Sequence, residues 1–313
     1  MRERPQLEAE APPPGGESER SRRGAGGRSA WLEIDWREHQ RWVSVDGHVL
    51  NTYELGAGPP LVFVHGLSGS WTNWLEQLPV LARAHRVLAF DLPGFGRSPM
   101  PAQRITISGC ARLLDSLLDR RGIDAAAIVG NSMGGCVATE LAIAFPQRVE
   151  RLVLVSAVGV STHAPRGGDR LLALMRRYER ILAPAGGRVA AAAEVLARRG
   201  RLREATLGIF VAHPGRLPAP LAAEMLRGAG KPGFVQGLEA VFEYDFRERL
   251  TEIVCPTLIV WGAGDRLVSV SDADVFAELI PSSRKIVFAD TGHMAMLERP
   301  AAFNALLEEF LEE

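Results

Sequence analysis

The sequence predicts an α/β fold: a mostly parallel sheet of about eight strands with helices on both faces, interrupted once by helices alone. Short apolar runs such as 61–64 and 126–129 alternate with longer helical patterns along the first half of the chain. The alternation stops near residue 160 and resumes at Thr257. A serine flanked by glycines directly follows the buried run 126–129, at the point where a strand would turn into a helix.

Composition limits the partners that the chain is expected to have. The 313 residues are enough for one large α/β domain with an insertion or for two ordinary domains, and a content of 47% apolar and 23% charged residues allows a sizeable core. The formal net charge of −1 gives no electrostatic reason to expect nucleic acid or an anionic membrane as a partner. Three widely spaced cysteines fit a reducing compartment. Without a secretory signal or a membrane-spanning run, we expect a cytoplasmic protein.

The elements can be placed in chain order. Residues 1–30 are rich in Pro, Gly, Arg and Glu with almost nothing to bury, so a disordered tail is expected. Asp46-Gly47 between apolar runs predicts a hairpin. The first part of the core, 31–159, then contains strand 61–64, helix 71–84, strand 86–90, helix 104–121, strand 126–130, helix 132–145 and strand 151–156.

The second half divides into an insertion and the rest of the core. Residues 160–245 carry helical patterns at 170–182, 188–199, 202–212 and 221–227, broken by prolines and glycines. The remaining core, 246–313, contains strand 257–261, helix 271–279, strand 284–289 and a final helix 300–312.

Ser132 in Gly130-Asn131-Ser132-Met133-Gly134 is the candidate nucleophile, and a serine needs a base to react near neutral pH. His293 follows the last strand, so it is expected at the carboxyl edge of the sheet together with Ser132. Asp265 follows strand 257–261 through a glycine turn and is the candidate carboxylate partner of His293. Its rivals are three other aspartates: Asp272, Asp274 and Asp290.

The candidate oxyanion hole uses two backbone N–H groups. One belongs to Met133, directly after the serine, and the other to Leu67, in the loop after strand 61–64. Gly66 lets that loop turn inward. His65 is expected to shape the loop rather than act as the base.

Several motifs occur in order: His65-Gly66, Asp91-Leu92-Pro93-Gly94-Phe95-Gly96-Arg97-Ser98, Gly130-Asn131-Ser132-Met133-Gly134-Gly135, Trp261-Gly262-Ala263-Gly264-Asp265, and Gly292-His293 with Glu298-Arg299-Pro300. Together they make the chain resemble the α/β-hydrolase fold family over about residues 40–313. The resemblance implies that 160–245 form a helical cap over the active site and that Asp91 orders a glycine-rich turn. No metal or organic cofactor is implied, since the serine mechanism needs neither.

The expected activity is hydrolysis of small to medium apolar carboxylic esters, with a small-molecule ester or related acyl compound as the partner. Trp71 and Met294 are predicted to line the substrate pocket with Gly66 and Asn131. Gly-Asn-Ser-Met-Gly-Gly is also frequent in the related hydrolases that cleave C–C bonds of meta-cleavage products. Those enzymes usually have tryptophan where this chain has Met294, and they carry a cap arginine for which Arg227 is the candidate.

Two more functions are compatible with the same resemblance. A cofactor-free perhydrolase or haloperoxidase uses the same three catalytic residues with peroxide as the acceptor. A non-enzymatic small-molecule receptor keeps the fold and hydrolyses its ligand slowly or not at all. The intact set of Ser132, Asp265 and His293 favours an enzyme over a receptor.

Overall fold

The computed structural model describes residues 9–10, 29–161 and 186–313. The predicted helix 170–182 lies outside these residues, as does most of the tail 1–30. Within that tail, which was expected to be disordered, Ala9–Glu10 pairs in parallel with the strand Ser283–Phe288. In the described part of the chain, no helix combines the length and the apolar character that crossing a bilayer requires.

In chain order, the strands of the described residues are β1 (Ala9–Glu10), β2 (Gln40–Val45), β3 (His48–Leu55), β4 (Pro60–Val64), β5 (Arg86–Phe90), β6 (Ala126–Asn131), β7 (Val149–Val155), β8 (Thr257–Gly262) and β9 (Ser283–Phe288). These nine strands form one sheet, in the spatial order β1-β9-β8-β7-β6-β4-β5-β3-β2. Only β3 pairs antiparallel to its neighbours, β2 and β5. The sheet is therefore mostly parallel, as predicted, and the carboxyl ends of β4, β6, β8 and β9 meet at one edge.

Helices cover both faces of this sheet. They are α1 (Trp36–His39), α2 (Leu78–Leu81), α3 (Ile107–Arg120), α4 (Met133–Ala144), α5 (Gly186–Ala191), α6 (Ala193–Arg198), α7 (Gly200–Leu207), α8 (Ala219–Arg227), α9 (Phe234–Glu243), α10 (Ser271–Leu279), α11 (Ala295–Glu298) and α12 (Pro300–Glu312). The buried side chains form one apolar cluster on each face of the sheet. Between β7 and β8 the described residues contain helices and no strand.

Local chemistry explains where the predicted elements agree with the structure and where they differ. Asp46 and Gly47 have φ of 47° and 78°, the geometry of a type I′ hairpin turn. The predicted helix 71–84 is wrong: a 3₁₀ turn at Trp71–Trp74 is followed by the separate short helix α2. Pro79 lies at the start of α2, where its missing N–H is tolerated, and it cannot continue a helix that began earlier.

The first turn of α4 packs tightly against the end of β4. A Cβ added at Gly134 would lie 2.2 Å from the carbonyl oxygen of Val64 and 2.5 Å from that of His65. Both contacts are to backbone, so neither can move aside cheaply. Glycine at this position therefore allows the helix that follows Ser132 to approach the neighbouring strand.

We expect Gly134→Ala to lower the free energy of unfolding by about 1–3 kcal/mol or more, because the added methyl group overpacks a rigid backbone contact. The matched control is Gly187→Ala in α5, where an added Cβ meets nothing within 4 Å. That change should be neutral or stabilise the protein by up to about 1 kcal/mol, since alanine favours helix. Chemical denaturation of the three proteins measures the difference, and equal stability of the two variants would contradict the packing argument.

Asp272 of α10 joins the core to the start of the cap. Its Oδ2 accepts hydrogen bonds from the hydroxyl of Ser161, at 2.7 Å, and from the Ser161 amide, at 3.3 Å. The side chain is buried, and desolvation, with a smaller contribution from the nearby Asp265 carboxylate, raises the pKa of Asp272 against the opposing effect of the Ser161 bonds. The folded protein therefore holds this proton more tightly than the unfolded chain does. The stability that Asp272 contributes is present below the pKa of the unfolded chain and is lost as pH rises through the folded pKa.

We expect Asp272→Asn to raise the free energy of unfolding at pH 8 relative to wild type, since the amide oxygen still accepts from Ser161 and carries no charge. The advantage should shrink as pH falls through the folded pKa, where Asp272 is itself neutral. Urea denaturation from pH 4 to pH 8 measures this pattern. The control is Asp274→Asn, an exposed residue paired with Lys285, for which a change within about 1 kcal/mol is expected. If Asp272→Asn has no higher free energy of unfolding than wild type at pH 8, the expected direction of the effect is contradicted.

Candidate active site

Ser132 occupies the sharp turn between β6 and α4 and has a left-handed backbone, with φ of 55° and ψ of −119°. A non-glycine residue in this region costs on the order of 1–3 kcal/mol, so the surroundings must hold it there. They do so through backbone bonds: the Ser132 amide donates to the Val155 carbonyl at 3.0 Å, and the Cys136 amide donates to the Ser132 carbonyl at 3.2 Å. The turn directs the serine out of the sheet and into a cavity.

His293 and Asp265 form a buried pair at the same sheet edge. The Nδ1 atom of His293 lies 2.8 Å from Oδ2 of Asp265, and their side chains are 4% and 0% exposed. The other carboxylate oxygen accepts from the amides of Leu267 and Val268, at 2.8 and 3.0 Å. These two amides orient the carboxylate, and the carboxylate favours the tautomer in which Nδ1 donates and Nε2 accepts. His293 also lines the cavity that contains Ser132.

The rival aspartates are engaged elsewhere. Asp290 pairs with His213 and Arg216, Asp274 pairs with Lys285, and Asp272 bonds to Ser161. Among the four candidates, Asp265 alone bonds to the ring of His293 within the described residues.

Leu67 and Met133 lie where two backbone N–H groups could face a substrate oxygen. Met133 is the first residue of α4, so its amide has no partner within the helix. A Cβ added at Gly66 would lie 2.9 Å from the Cβ of Ser132, which shows that the loop before Leu67 passes directly over the serine. Both Leu67 and Met133 line the cavity.

His65 and Asp91 fix the position of this loop through hydrogen bonds to backbone groups. His65 is fully buried, its Nε2 accepts from the Leu92 amide at 2.9 Å, and its Nδ1 therefore donates to the Gly66 carbonyl at 2.8 Å. Burial lowers the pKa of His65, in keeping with this neutral role. Asp91 accepts from the amides of Trp71 and Arg97, each at 2.8 Å, and so ties the end of the loop that contains Leu67 to the glycine-rich turn.

Glu298 connects the histidine loop to the cap, a role that sequence reasoning missed although the residue belongs to one of the motifs. Its carboxylate accepts from the amides of Gly292 and Ala212, each at 2.8 Å. The His293 amide in turn donates to the Phe210 carbonyl at 2.9 Å. Burial raises the pKa of Glu298 against the opposing effect of these amides. The backbone amides of Gly292 and His293 are therefore tied to the segment 210–212, the first through Glu298 and the second directly.

The cavity lies between the sheet edge and the described part of the cap. Seven of the predicted site residues line it: Gly66, Leu67, Asn131, Ser132, Met133, His293 and Met294. Trp71 does not, which corrects its predicted place in the pocket. Trp71 is 8% exposed, and its ring stacks on that of Tyr53, a residue of β3, with 3.7 Å between ring centroids.

Neither the amide group of Asn131 nor the guanidinium of Arg227 is available to contact a substrate. The Asn131 side chain is 1% exposed and donates to the Val155 carbonyl at 3.0 Å, so its amide group braces the turn. Arg227 pairs with Glu194 and Glu224 and is not among the residues that line the cavity, whereas Glu224 is. The described residues thus place a carboxylate, not a guanidinium, on the cap side of the cavity.

Comparison with known proteins supports this assignment of the fold. The chain is 33% identical to a dihydrolipoyllysine-residue acetyltransferase component of an acetoin cleaving system from Cupriavidus necator, over 89% of this chain and 71% of that protein. It is 32% identical to a 2-hydroxy-6-oxo-2,4-heptadienoate hydrolase from Pseudomonas putida, over 87% of this chain and 95% of that protein.

Solved structures agree with these relatives. An N-acyl homoserine lactone degrading enzyme superposes with a TM-score of 0.66 at 28% identity, covering 86% of this chain and all of the other. Residues 59–300 match the family described as alpha/beta hydrolase fold. Since this match spans most of the chain and includes the serine turn, the Asp265 loop and the His293 loop, the chain belongs to the α/β-hydrolase family and is a hydrolase.

Proposed function

We propose that the protein is a carboxylic-ester hydrolase that works through an acyl-enzyme on Ser132. The observation that carries this proposal is the buried His293–Asp265 pair, with 2.8 Å between Nδ1 and Oδ2, in the wall of the cavity into which Ser132 turns. A serine, a base and an orienting carboxylate in this arrangement are what acyl transfer requires.

Each group has a defined role in the proposed reaction. The hydroxyl oxygen of Ser132 attacks the ester carbonyl carbon while Nε2 of His293 takes the hydroxyl proton. The amides of Leu67 and Met133 donate to the oxygen that becomes negative, and one such donor is worth about 3–4 kcal/mol in the transition state. The C–O bond then breaks as His293 returns the proton to the leaving alcohol. Water, deprotonated by His293, attacks the acyl-enzyme and releases the acid and the serine.

The walls of the cavity favour an apolar substrate. The cap contributes the side chains of Phe210, Phe234, Leu238 and Phe242 to the lining. These residues give the cap side of the cavity a largely apolar surface, with Glu224 as its charged exception. This distribution is typical of pockets that bind an apolar body and orient one reactive group. Small to medium acyl or alcohol groups are the proposed occupants.

A second candidate is hydrolysis of C–C bonds in meta-cleavage products, which the activity of the Pseudomonas putida relative favours. The substrates of such an activity carry a carboxylate. In the described residues the candidate cap arginine, Arg227, is neutralised by Glu194 and Glu224, and Glu224 faces the cavity. We therefore place this activity second.

The mechanism is tested with p-nitrophenyl butyrate and two variants. Ser132→Ala should lower kcat by about 10⁶-fold, because it removes the nucleophile, and Asp265→Asn by about 10⁴-fold, because the amide no longer selects the required histidine tautomer. Asp274→Asn, exposed on α10, serves as the control and should retain wild-type activity. Circular dichroism checks that each variant folds. Substantial turnover by folded Ser132→Ala would refute the acyl-enzyme.

The order of the two candidate activities is tested by comparing kcat/KM for p-nitrophenyl butyrate and for a meta-cleavage diketo acid. We expect the ester to be the better substrate, since the described cap offers no unpaired cation at the cavity for the diketo acid. Rapid cleavage of the diketo acid by wild type, with feeble ester hydrolysis, would reverse the ranking. Loss of both activities in Ser132→Ala would show that one site performs them.

A further inference from the structure

One acidic side chain of the cap faces the catalytic cavity. Glu224 lies on α8 and is among the lining residues, with its side chain 25% exposed. Apart from His293, it is the only titratable side chain among the described residues of the lining. Any charged group on a substrate that enters the cavity therefore meets a carboxylate on this side.

The position of α8 fixes Glu224 relative to the catalytic loops. A Cβ added at Gly228, directly after α8, would lie 2.1 Å from the carbonyl oxygen of Ser68. The end of the helix thus rests on the loop that follows Leu67. Glu224 precedes Gly228 by about one helical turn, which places it on the same side of the helix. Glu224 is thus on the side of α8 that faces the loop of the proposed oxyanion hole.

Glu224 belongs to a cluster with Arg227 and Glu194. The Arg227 guanidinium bonds to both carboxylates, and its own side chain and that of Glu194 are 41% and 57% exposed. The cluster runs from the cavity to the surface in the order Glu224, Arg227, Glu194 and carries a formal charge of −1. Its cation is occupied by two anions, so it has little attraction left for an anionic ligand.

We infer that the Glu224–Arg227–Glu194 cluster is a charge filter of the active site, which admits uncharged and cationic esters and excludes esters that carry a carboxylate. A like-charge contact inside the cavity is screened less than one in water, while burial also raises the pKa of the Glu224 carboxyl against the opposing effect of the Arg227 guanidinium. Like charges placed face to face at an interface oppose binding. This inference rests on the proposed ester hydrolysis and specifies its substrate class.

The test uses three p-nitrophenyl esters of equal acyl length that end in a methyl ester, a carboxylate or a trimethylammonium group. For wild type, kcat/KM of the neutral and cationic esters should exceed that of the anionic ester at least about tenfold. Glu224→Gln should reduce this preference about tenfold, since it removes the charge nearest the cavity. Arg227→Gln should strengthen the preference, because it leaves two carboxylates without their cation.

The Glu224 and Arg227 variants are expected to change the preference in opposite directions, which separates a charge filter from a structural role. Damage to the cap would slow the hydrolysis of all three esters alike. Glu239→Gln is the matched control: it removes a carboxylate from an exposed position on cap helix α9 and should leave the ratios unchanged. Glu224→Met, uncharged and of similar size, should reproduce Glu224→Gln, and it replaces that variant if the glutamine protein does not fold. Wild type that prefers the anionic ester, or Glu224 variants with unchanged ratios, would overturn the inference.

A second readout separates this inference from the proposed function. Neutral and anionic phosphonate probes label an activated serine without any need for ester turnover. Labelling of Ser132 with the neutral probe favoured, but without hydrolysis of any ester, would retain the filter and refute the ester hydrolase. Ester hydrolysis together with equal labelling of Ser132 by both probes would retain the ester hydrolase and refute the charge filter.

Discussion

The contact between the first turn of α4 and the end of β4 is the constraint on which the site depends. Gly134 lies directly against the carbonyls of Val64 and His65, and Gly66 passes over the Cβ of Ser132. This close approach brings two loops from different strands to within contact of one serine. At this approach Ser132 has a left-handed conformation that an isolated chain would rarely adopt, and backbone hydrogen bonds hold it there. A larger residue at the approach would separate the serine from the oxyanion loop.

The second half of the site is assembled by hydrogen bonds rather than by close packing. Asp265 is oriented by two amides of its own loop, and it orients His293. The backbone of the histidine loop is tied to cap residues 210–212 through Glu298 and the Phe210 carbonyl. Because the cap segment that lines the cavity also holds the histidine backbone, a displacement of the cap there would disturb the His293 ring. The shape of the pocket and the orientation of the His293 ring are therefore coupled.

The charge on the cap side of the cavity is negative, whereas a site for an acidic substrate requires a positive charge there. An arginine near the expected place is present in the sequence, but the fold surrounds it with Glu194 and Glu224. The 2-hydroxy-6-oxo-2,4-heptadienoate hydrolase of Pseudomonas putida shares about a third of the residues with this chain, which is compatible with a different substrate. The combination of an apolar lining and one carboxylate is the basis of the proposed preference for uncharged or cationic esters.

The sequence by itself determined the succession of the core strands along the chain and the exact bounds of helices α10 and α12. It also determined the candidate positions Ser132, Asp265 and His293. These depend on local signals: apolar periodicity, glycine turns, and the rule that parallel strands end at one edge. Tertiary structure alone decided which aspartate meets His293, that Trp71 packs on Tyr53 away from the cavity, and that Arg227 is neutralised. It also placed α9, which no clear pattern predicted, over the oxyanion loop. Such facts depend on contacts between residues far apart in the chain, and periodicity within a segment carries no information about them.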